Sequence, residues 1–393
     1  MRPLEGLTVV TLEHAIAAPF ATRQLADLGA RVIKIERPGV GDFARGYDER
    51  VRGMASHFVW TNRSKESLTL DVKHPEAQTI LRRLIMEQAD IVVQNLAPGA
   101  AARLGLSYEA LSATKPGLIV CDISGYGSDG PYRDKKAYDL LIQSEAGFVS
   151  VTGSPDEPAK AGPSIADISA GMYAYTNILA ALLQRAKTGR GRHIDISMLE
   201  SLVEWTSYPL YYAFDGAAPP PRTGASHATI YPYGPFPAGD GKTVMLGLQN
   251  EREWALFCSK VLLAPALAQD PRFATNSKRS AARAELRALI VDAFAALTAS
   301  EVVARLDAAQ IANANVNTMG DVWAHPQLKA RGRWTEVATP VGSVPALLPP
   351  GSWDEQAPRM DAVPALGQHT EAILAELQYG PEQVAHLRSA GAI

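Results

Sequence analysis

A chain of 393 residues is long for a single hydrophobic core, so two domains are expected, and 47% hydrophobic with 20% charged residues is the composition of a globular protein. A formal net charge of -3 and the lack of a basic run argue against a nucleic-acid partner. No window of about eighteen apolar residues stands where a membrane helix would need one. Two cysteines, Cys121 and Cys258, are too few for a disulfide framework. The opening stretch MRPLEGLTVVTLEHAIAAPF, broken by Glu5, Glu13 and His14, does not read as a signal peptide, so the cytoplasm is the expected compartment.

In chain order, LTVVTL (7–12) is a short apolar run that reads as a buried strand. PFATRQLADLGA follows as a helix with Pro19 in its first turn and a stop at Gly29. RVIKIE (31–36) is the next strand, PEAQTILRRLIMEQAD (75–90) an amphipathic helix, and IVVQN (91–95) and LIVCDI (118–123) two further strands. A helical pattern begins near Tyr138, a long helix runs from Ala166 to a stop at Gly189, and HIDISM (193–198) is a strand. This alternation predicts an α/β fold: a doubly wound parallel-sheet large domain whose N-terminal part spans residues 1–220. Around Pro219 the texture turns to proline and glycine, a linker loop that opens a smaller α/β domain over 221–330. Residues 331–393 are expected to return to the large domain and to end in the helix HTEAILAEL.

Gly125, Gly127 and Gly130 follow LIVCDI at the G-x-G-x-x-G spacing of a dinucleotide-binding turn. That turn needs a helix opening directly on the third glycine, and Pro131, Tyr132 and the charges RDKK stand there instead. GVGDFA (39–44) fails in the same way, so no NAD site is expected at either place. No metal-ligand spacing and no G-x-S-x-G elbow is present.

Taken together, AAPFATRQLADLGARVIKIERPGVGD, NRSKESLTLDVKHPEAQTILRRL, QNLAPGAAARLGLSYEAL, ISGYGSDGPYRDKKAYDLLIQ, ADISAGMYA, LLQRAKTGRGRHIDISMLES and PALGQHTEAILAELQ make the sequence similar, nearly end to end, to the class III CoA-transferases, the family of formyl-CoA and carnitine CoA-transferases. The resemblance implies an interlocked homodimer, two ring-shaped protomers passing through one another. It makes the glycine stretch 125–130 an active-site loop, a candidate source of backbone N–H donors for tetrahedral intermediates. It also implies an aspartate nucleophile, matched here by Asp167, which read alone is an ordinary helix N-cap. Coenzyme A, a substrate and not a resident cofactor, would then meet Ala17, Arg37, Leu70, Lys73, Asn95, Arg103, Lys136 and Tyr138; no metal is implied. Arg and Lys suit its phosphates, while singly each is also an ordinary surface charge, and Asn95 an ordinary turn residue. Ile16 departs from a glutamine found in some members, which bears on donor and acceptor identity.

The expected reaction carries CoA from an acyl-CoA to a free carboxylic acid through an aspartyl anhydride and an aspartyl-CoA thioester. Arg222, His227 and Tyr231 in RTGASHATIYPYGPF could hold a second carboxylate, which points to a C4–C6 dicarboxylate such as succinate, itaconate, mesaconate, citramalate or a glutarate derivative. They would equally suit a structural hinge. Two alternatives stay open at the level of sequence. One is an α-methylacyl-CoA racemase, whose histidine base would stand where this chain has Tyr138. The other is a non-catalytic acyl-CoA binder, against which the intact Asp167 argues.

Overall fold

The short apolar runs pair as one sheet. In the computed structural model, which describes residues 1–351 and 356–393, β1 (Thr8–Leu12), β2 (Arg31–Glu36), β3 (Lys65–Thr69), β4 (Ile91–Gln94), β5 (Ile119–Ser124) and β6 (His193–Ser197) lie parallel in the order β3-β2-β1-β4-β5-β6. Among the helices that cover it are α1 (Ala17–Asp27), α2 (Pro75–Gln88), α3 (Asp139–Glu145) and α4 (Ile165–Thr188).

Alternation along the strands explains why both faces need cover. Val9, Val32, Ile91, Val93, Ile119 and Cys121 point into a core closed by Ala18, Ala21 and Leu25 of α1 and Ala170, Ala174 and Ile178 of α4. Their neighbours Val10, Ile33, Ile35, Val92 and Val120 point the other way, onto Ile80, Leu81 and Leu84 of α2 and onto Ile373, Leu374 and Leu387 from the end of the chain. The alanines let α1 and α4 approach closely: a Cβ on Gly171 would stand 2.7 Å from the Ala17 carbonyl oxygen and 2.9 Å from Phe20. Truncating a fully buried leucine such as Leu84 would cost about 2–5 kcal/mol.

The sequence reading gives no strand at Lys65–Thr69, because KESLT lacks an apolar run. Its register is set by polar contacts that the sequence hides. The buried Lys65 Nζ donates to Glu13 Oε1 at 2.6 Å and to the Pro19 carbonyl at 3.0 Å. Buried Ser67 Oγ donates to Glu36 Oε2 at 2.6 Å.

The chain divides into two units. The first comprises Met1–Phe148, Ala161–Thr206 and Leu328–Ile393; the second comprises Val149–Lys160 and Ser207–Gln327. The second has its own antiparallel sheet, β7 (Tyr233–Pro237), β8 (Thr243–Gly247) and β9 (Ala312–Asn315), over a core that includes Trp254, Phe257, Phe273 and Phe294. The first also carries the hairpin of β10 (Trp334–Thr339) and β11 (Gly342–Leu347). No described helix is long and apolar enough to cross a membrane.

Candidate active site

Strand order reverses between β1 and β4, and in doubly wound sheets ligands bind outside the carboxyl ends of the strands at such a point. Apart from Asp167 on α4, the sequence-flagged residues of the first unit fall on the loops and short helical turns that follow those ends. Ala17 opens α1 after β1, Arg37 follows β2, Leu70 follows β3, Asn95 and Arg103 follow β4, and Lys136 and Tyr138 follow β5. Arg37, Lys73, Arg103 and Lys136 are exposed, and none has an ion-pair partner among the described residues. A cavity of about 440 Å³ is lined in part by Pro38, Gly39, Thr69, Gln368 and Arg388.

Three of these residues have duties that sequence reading does not anticipate. Asn95 spans the switch point: its Oδ1 accepts from the His14 N–H and its Nδ2 donates to the His14 carbonyl, both at 2.9 Å, so its amide is spent on joining the β1 and β4 loops. The Leu70 side chain is 1% exposed and packs in the core, and its N–H donates to the Glu36 carbonyl. Only the outward edge of that loop is left to meet a ligand. The Ala17 side chain is likewise buried, which leaves its backbone at the start of α1.

Asp167 is not the N-cap that its place in the sequence suggests. Ser164 is the cap residue and makes no side-chain cap bond; Asp167 is the third residue of α4. The capping comes from another helix. Asp139 Oδ1 accepts from the Ala166 N–H at 2.8 Å and from the Asp167 N–H at 3.2 Å. Its Oδ2 accepts from Gln143 Nε2 at 2.7 Å. The glycine loop makes this reach possible: a Cβ on Gly125 would stand 2.2 Å from the Ala137 Cβ, so only glycine lets the chain fold back there and start α3 at Asp139. The loop is otherwise committed, with the Gly127 N–H donating to Ser124 Oγ and the Ser128 N–H to Asp195 Oδ2. Those two N–H groups are therefore engaged within the fold, and any oxyanion donor from the loop would have to be another of its N–H groups.

With its helix capped by Asp139, the half-buried Asp167 carboxylate accepts no hydrogen bond from a described residue. Burial, and then the charge of Asp139, push it up to about 7 from an ordinary 3.8. Tyr47, 47% exposed, stands near enough to feel it; burial, Asp42, Asp167 and Tyr138 together push its phenol up to about 12. Asp139, Gln143 and Tyr47 were missed by sequence reading. The visible signal for Asp139 was its place as an acidic residue in the first turn of a short helix.

Beneath the β1 loop lies a cluster of fully buried charges. Lys34 Nζ donates to Asp42 Oδ2 at 2.8 Å and to Glu13 Oε1 at 3.3 Å, and Lys65 reaches the same Glu13 oxygen. Burial alone would raise Glu13, but Lys65 and Lys34 overcome it and hold it at about 2. Asp42 Oδ1 accepts from the Ala15 N–H at 3.1 Å, so this cluster pins the loop at the switch point. No described group of three or more His, Cys, Asp and Glu is placed to hold a metal ion.

In the second unit, Arg222 donates to the carbonyls of Ser150, Ser154 and Pro155. Tyr231 is 2% exposed and packs in the core. His227 accepts from the N–H groups of Thr229 and Ile230 through Nδ1 and stacks on Tyr233 at 5.3 Å. Arg222 and Tyr231 are thus engaged in the fold of this unit, which agrees with the structural hinge, one of the two readings the sequence leaves open.

The profile of CoA-transferase family III matches residues 4–370. A succinate–glutarate CoA-transferase of Agrobacterium fabrum is 35% identical over 387 residues, 96% of each chain. A human succinyl-CoA:glutarate CoA-transferase is 33% identical over 398 residues, covering 100% of this chain and 90% of that protein. The crystal structure of a CaiB/BaiF family protein from Brucella suis superposes with a TM-score of 0.84 at 37% identity, over 96% of this chain and 99% of that one. The chain belongs to CoA-transferase family III and is a CoA-transferase.

Proposed function

We propose that this enzyme moves CoA from an acyl-CoA to a free dicarboxylate of about the size of succinate or glutarate, with Asp167 as the nucleophile. The observation that carries the reading is the division of labour at α4: Asp139 caps the helix, so the Asp167 carboxylate is left unpartnered and unusually basic for its type. A carboxylate of raised proton affinity is a better nucleophile while still ionised above neutral pH.

In the first step an Asp167 oxygen attacks the acyl carbon and the C–S bond breaks, giving a mixed anhydride and CoA thiolate. The thiolate then attacks the aspartyl carbonyl, forming an aspartyl-CoA thioester and releasing the donor acid. The acceptor carboxylate attacks that thioester and frees the thiolate, which takes the acyl group from the second anhydride and restores Asp167. No ATP enters, since thioester energy is passed on. The unpaired cations Arg37, Lys73, Arg103 and Lys136 suit the phosphates of CoA, and Tyr138, 70% exposed, offers a face beside them. The dicarboxylate assignment rests on the succinate and glutarate in the relatives' names.

The assembly proposed is a homodimer, interlocked as the family resemblance implies. The exposed Tyr208, Leu210, Tyr211, Tyr212 and Phe214 are a large apolar surface for a lone chain to leave in water. Dilution to nanomolar concentration should leave the dimer intact, and a folded, active monomer in analytical ultracentrifugation would overturn it.

The test of the chemistry is incubation with succinyl-CoA or glutaryl-CoA in the absence of acceptor. Intact mass should rise by one CoA per chain, with borohydride or hydroxylamine trapping the adduct on the peptide that holds Asp167. No adduct, or an adduct mapped to another residue, would sink the reading.

A further inference from the structure

We propose that Gln143 is a positioning residue for the reaction at Asp167, fixing the Asp139 carboxylate against the first turn of α4. The inference rests on the reading of Asp167 as nucleophile. Gln143 lies one turn after Asp139 on α3 and is 0% exposed. Its amide works at both ends. Nε2 donates to Asp139 Oδ2 at 2.7 Å, and Oε1 accepts from the Ala161 N–H at 2.9 Å.

With Asp139 Oδ1 bonded to the Ala166 and Asp167 N–H groups, these contacts close a ring. It runs from the backbone at Ala161, through Gln143 and Asp139, to the backbone at Asp167. The segment between is the lead-in to α4 that carries the nucleophile. Leucine or methionine would fill a buried site at lower desolvation cost, and burying an amide is tolerable only when donor and acceptor are both paired. Here both are, and few side chains other than a primary amide supply a donor and an acceptor in one planar group of this reach.

The consequence is electrostatic as well as geometric. With both its oxygens bonded, Asp139 cannot swing, and its charge stays beside Asp167. The titratable groups that face Asp167 are Asp139 from α3, Tyr47 from the loop after β2 and, through Tyr47, Tyr138. Burial and Asp139 are the causes that act on Asp167 among the described residues. Fixing Asp139 therefore sets how basic Asp167 is and where its carboxylate stands.

Two substitutions in the full chain separate this role from plain packing. Gln143→Leu frees one Asp139 oxygen, so the carboxylate can turn away from Asp167. The acid limb of the kcat/KM profile should move down by about half to one pH unit, and kcat should fall tenfold or more, with KM for acyl-CoA within about twofold. Gln143→Glu keeps the shape and adds an anion, so the limb should move up by about one pH unit. A downward displacement in Gln143→Leu is what a packing role cannot produce; the anion of Gln143→Glu raises the limb in any case and checks that a charge at this position is felt at Asp167. If Gln143→Leu keeps the wild-type limb, whether or not activity or melting temperature falls, Gln143 is a structural filler and the proposal is overturned. If Gln143→Leu does not fold, Gln143→Met takes its place with the same expected displacement. The CoA adduct is measured on wild type in parallel: its absence there defeats the Asp167 reading, whereas an adduct with unmoved limbs defeats only the role of Gln143.

Discussion

Asp167→Asn should abolish transfer and stabilise the protein, with a gain that depends on pH. The amide keeps the shape of the side chain and removes its charge. In the unfolded chain the carboxyl has its ordinary value of 3.8, and in the folded chain burial and Asp139 push it up to about 7. Below 3.8 it is neutral in both states and contributes nothing. Between 3.8 and about 7 the unfolded chain has released the proton while the folded chain still holds it, so stability falls as pH rises; above about 7 the full cost is present. At about 1.4 kcal/mol per pH unit the cost sums to roughly 4 kcal/mol. Because the side chain is only half-buried, solvent screening brings this to about 1–3 kcal/mol. The variant should thus be more stable than wild type at about pH 8.5, and the gain should shrink by about 1–2 kcal/mol at about pH 5. Urea unfolding of both proteins at one concentration, followed by circular dichroism at the two pH values, measures it. A gain independent of pH, or an asparagine variant less stable than wild type at the higher pH, would refute the electrostatic account. Appreciable transfer activity, with mass spectrometry excluding deamidation back to aspartate, would refute the nucleophile.

Asp139→Asn retains an oxygen to cap α4 but removes the like charge, so the acid limb of kcat/KM should fall by about one pH unit; an unmoved limb would mean that burial alone sets the basicity of Asp167. Lys34→Met leaves Glu13 and Asp42 buried with one cation fewer, and should cost about 3–5 kcal/mol in urea unfolding. In the wild type the contribution of Glu13, held at about 2, is present above the ordinary carboxylate range and is lost as pH falls through about 2, so it should resist mild acid. Tyr138→Phe should raise KM for acyl-CoA and leave kcat within about tenfold. In deuterated water the wild type should exchange no α-proton at a rate comparable to turnover; such exchange without CoA transfer would be racemase chemistry at this site.

The sheet was legible where strands are apolar runs and opaque where they are not. TVVTL and IVVQ declare themselves, whereas KESLT is a strand because Lys65 and Ser67 find buried acids in Glu13 and Glu36. Those partners lie 52 and 31 residues away, beyond any local window. β9, written ANAN, alternates only alanine with asparagine and is mostly exposed, too weak a pattern to declare a strand. For the site, the loops at the carboxyl edge followed from the alternation of strands and helices. Which polar groups on them are engaged did not: Asn95 looks free in sequence and is bonded at both ends of its amide to His14.

Under the proposed mechanism, the position of Asp167 explains why capping and nucleophilic attack fall to different residues. An N-cap carboxylate accepts N–H bonds through the lone pairs that must attack, and those bonds stabilise its charge and lower its proton affinity. A capped nucleophile would be tethered and weakly basic. Moving the cap to Asp139 leaves the N-terminal end of α4 satisfied, frees the Asp167 lone pairs, and adds a like charge that raises basicity. The like charge has to stay close without rotating, which requires a neutral donor on its far oxygen; a lysine there would offset the charge that makes the arrangement useful. Gln143 is such a donor, and its other end is anchored to the Ala161 N–H. The basicity of Asp167 is thus set first by burial and then by Asp139, which with its partner Gln143 stands 28 and 24 positions before Asp167 in sequence, too far for spacing alone to join them.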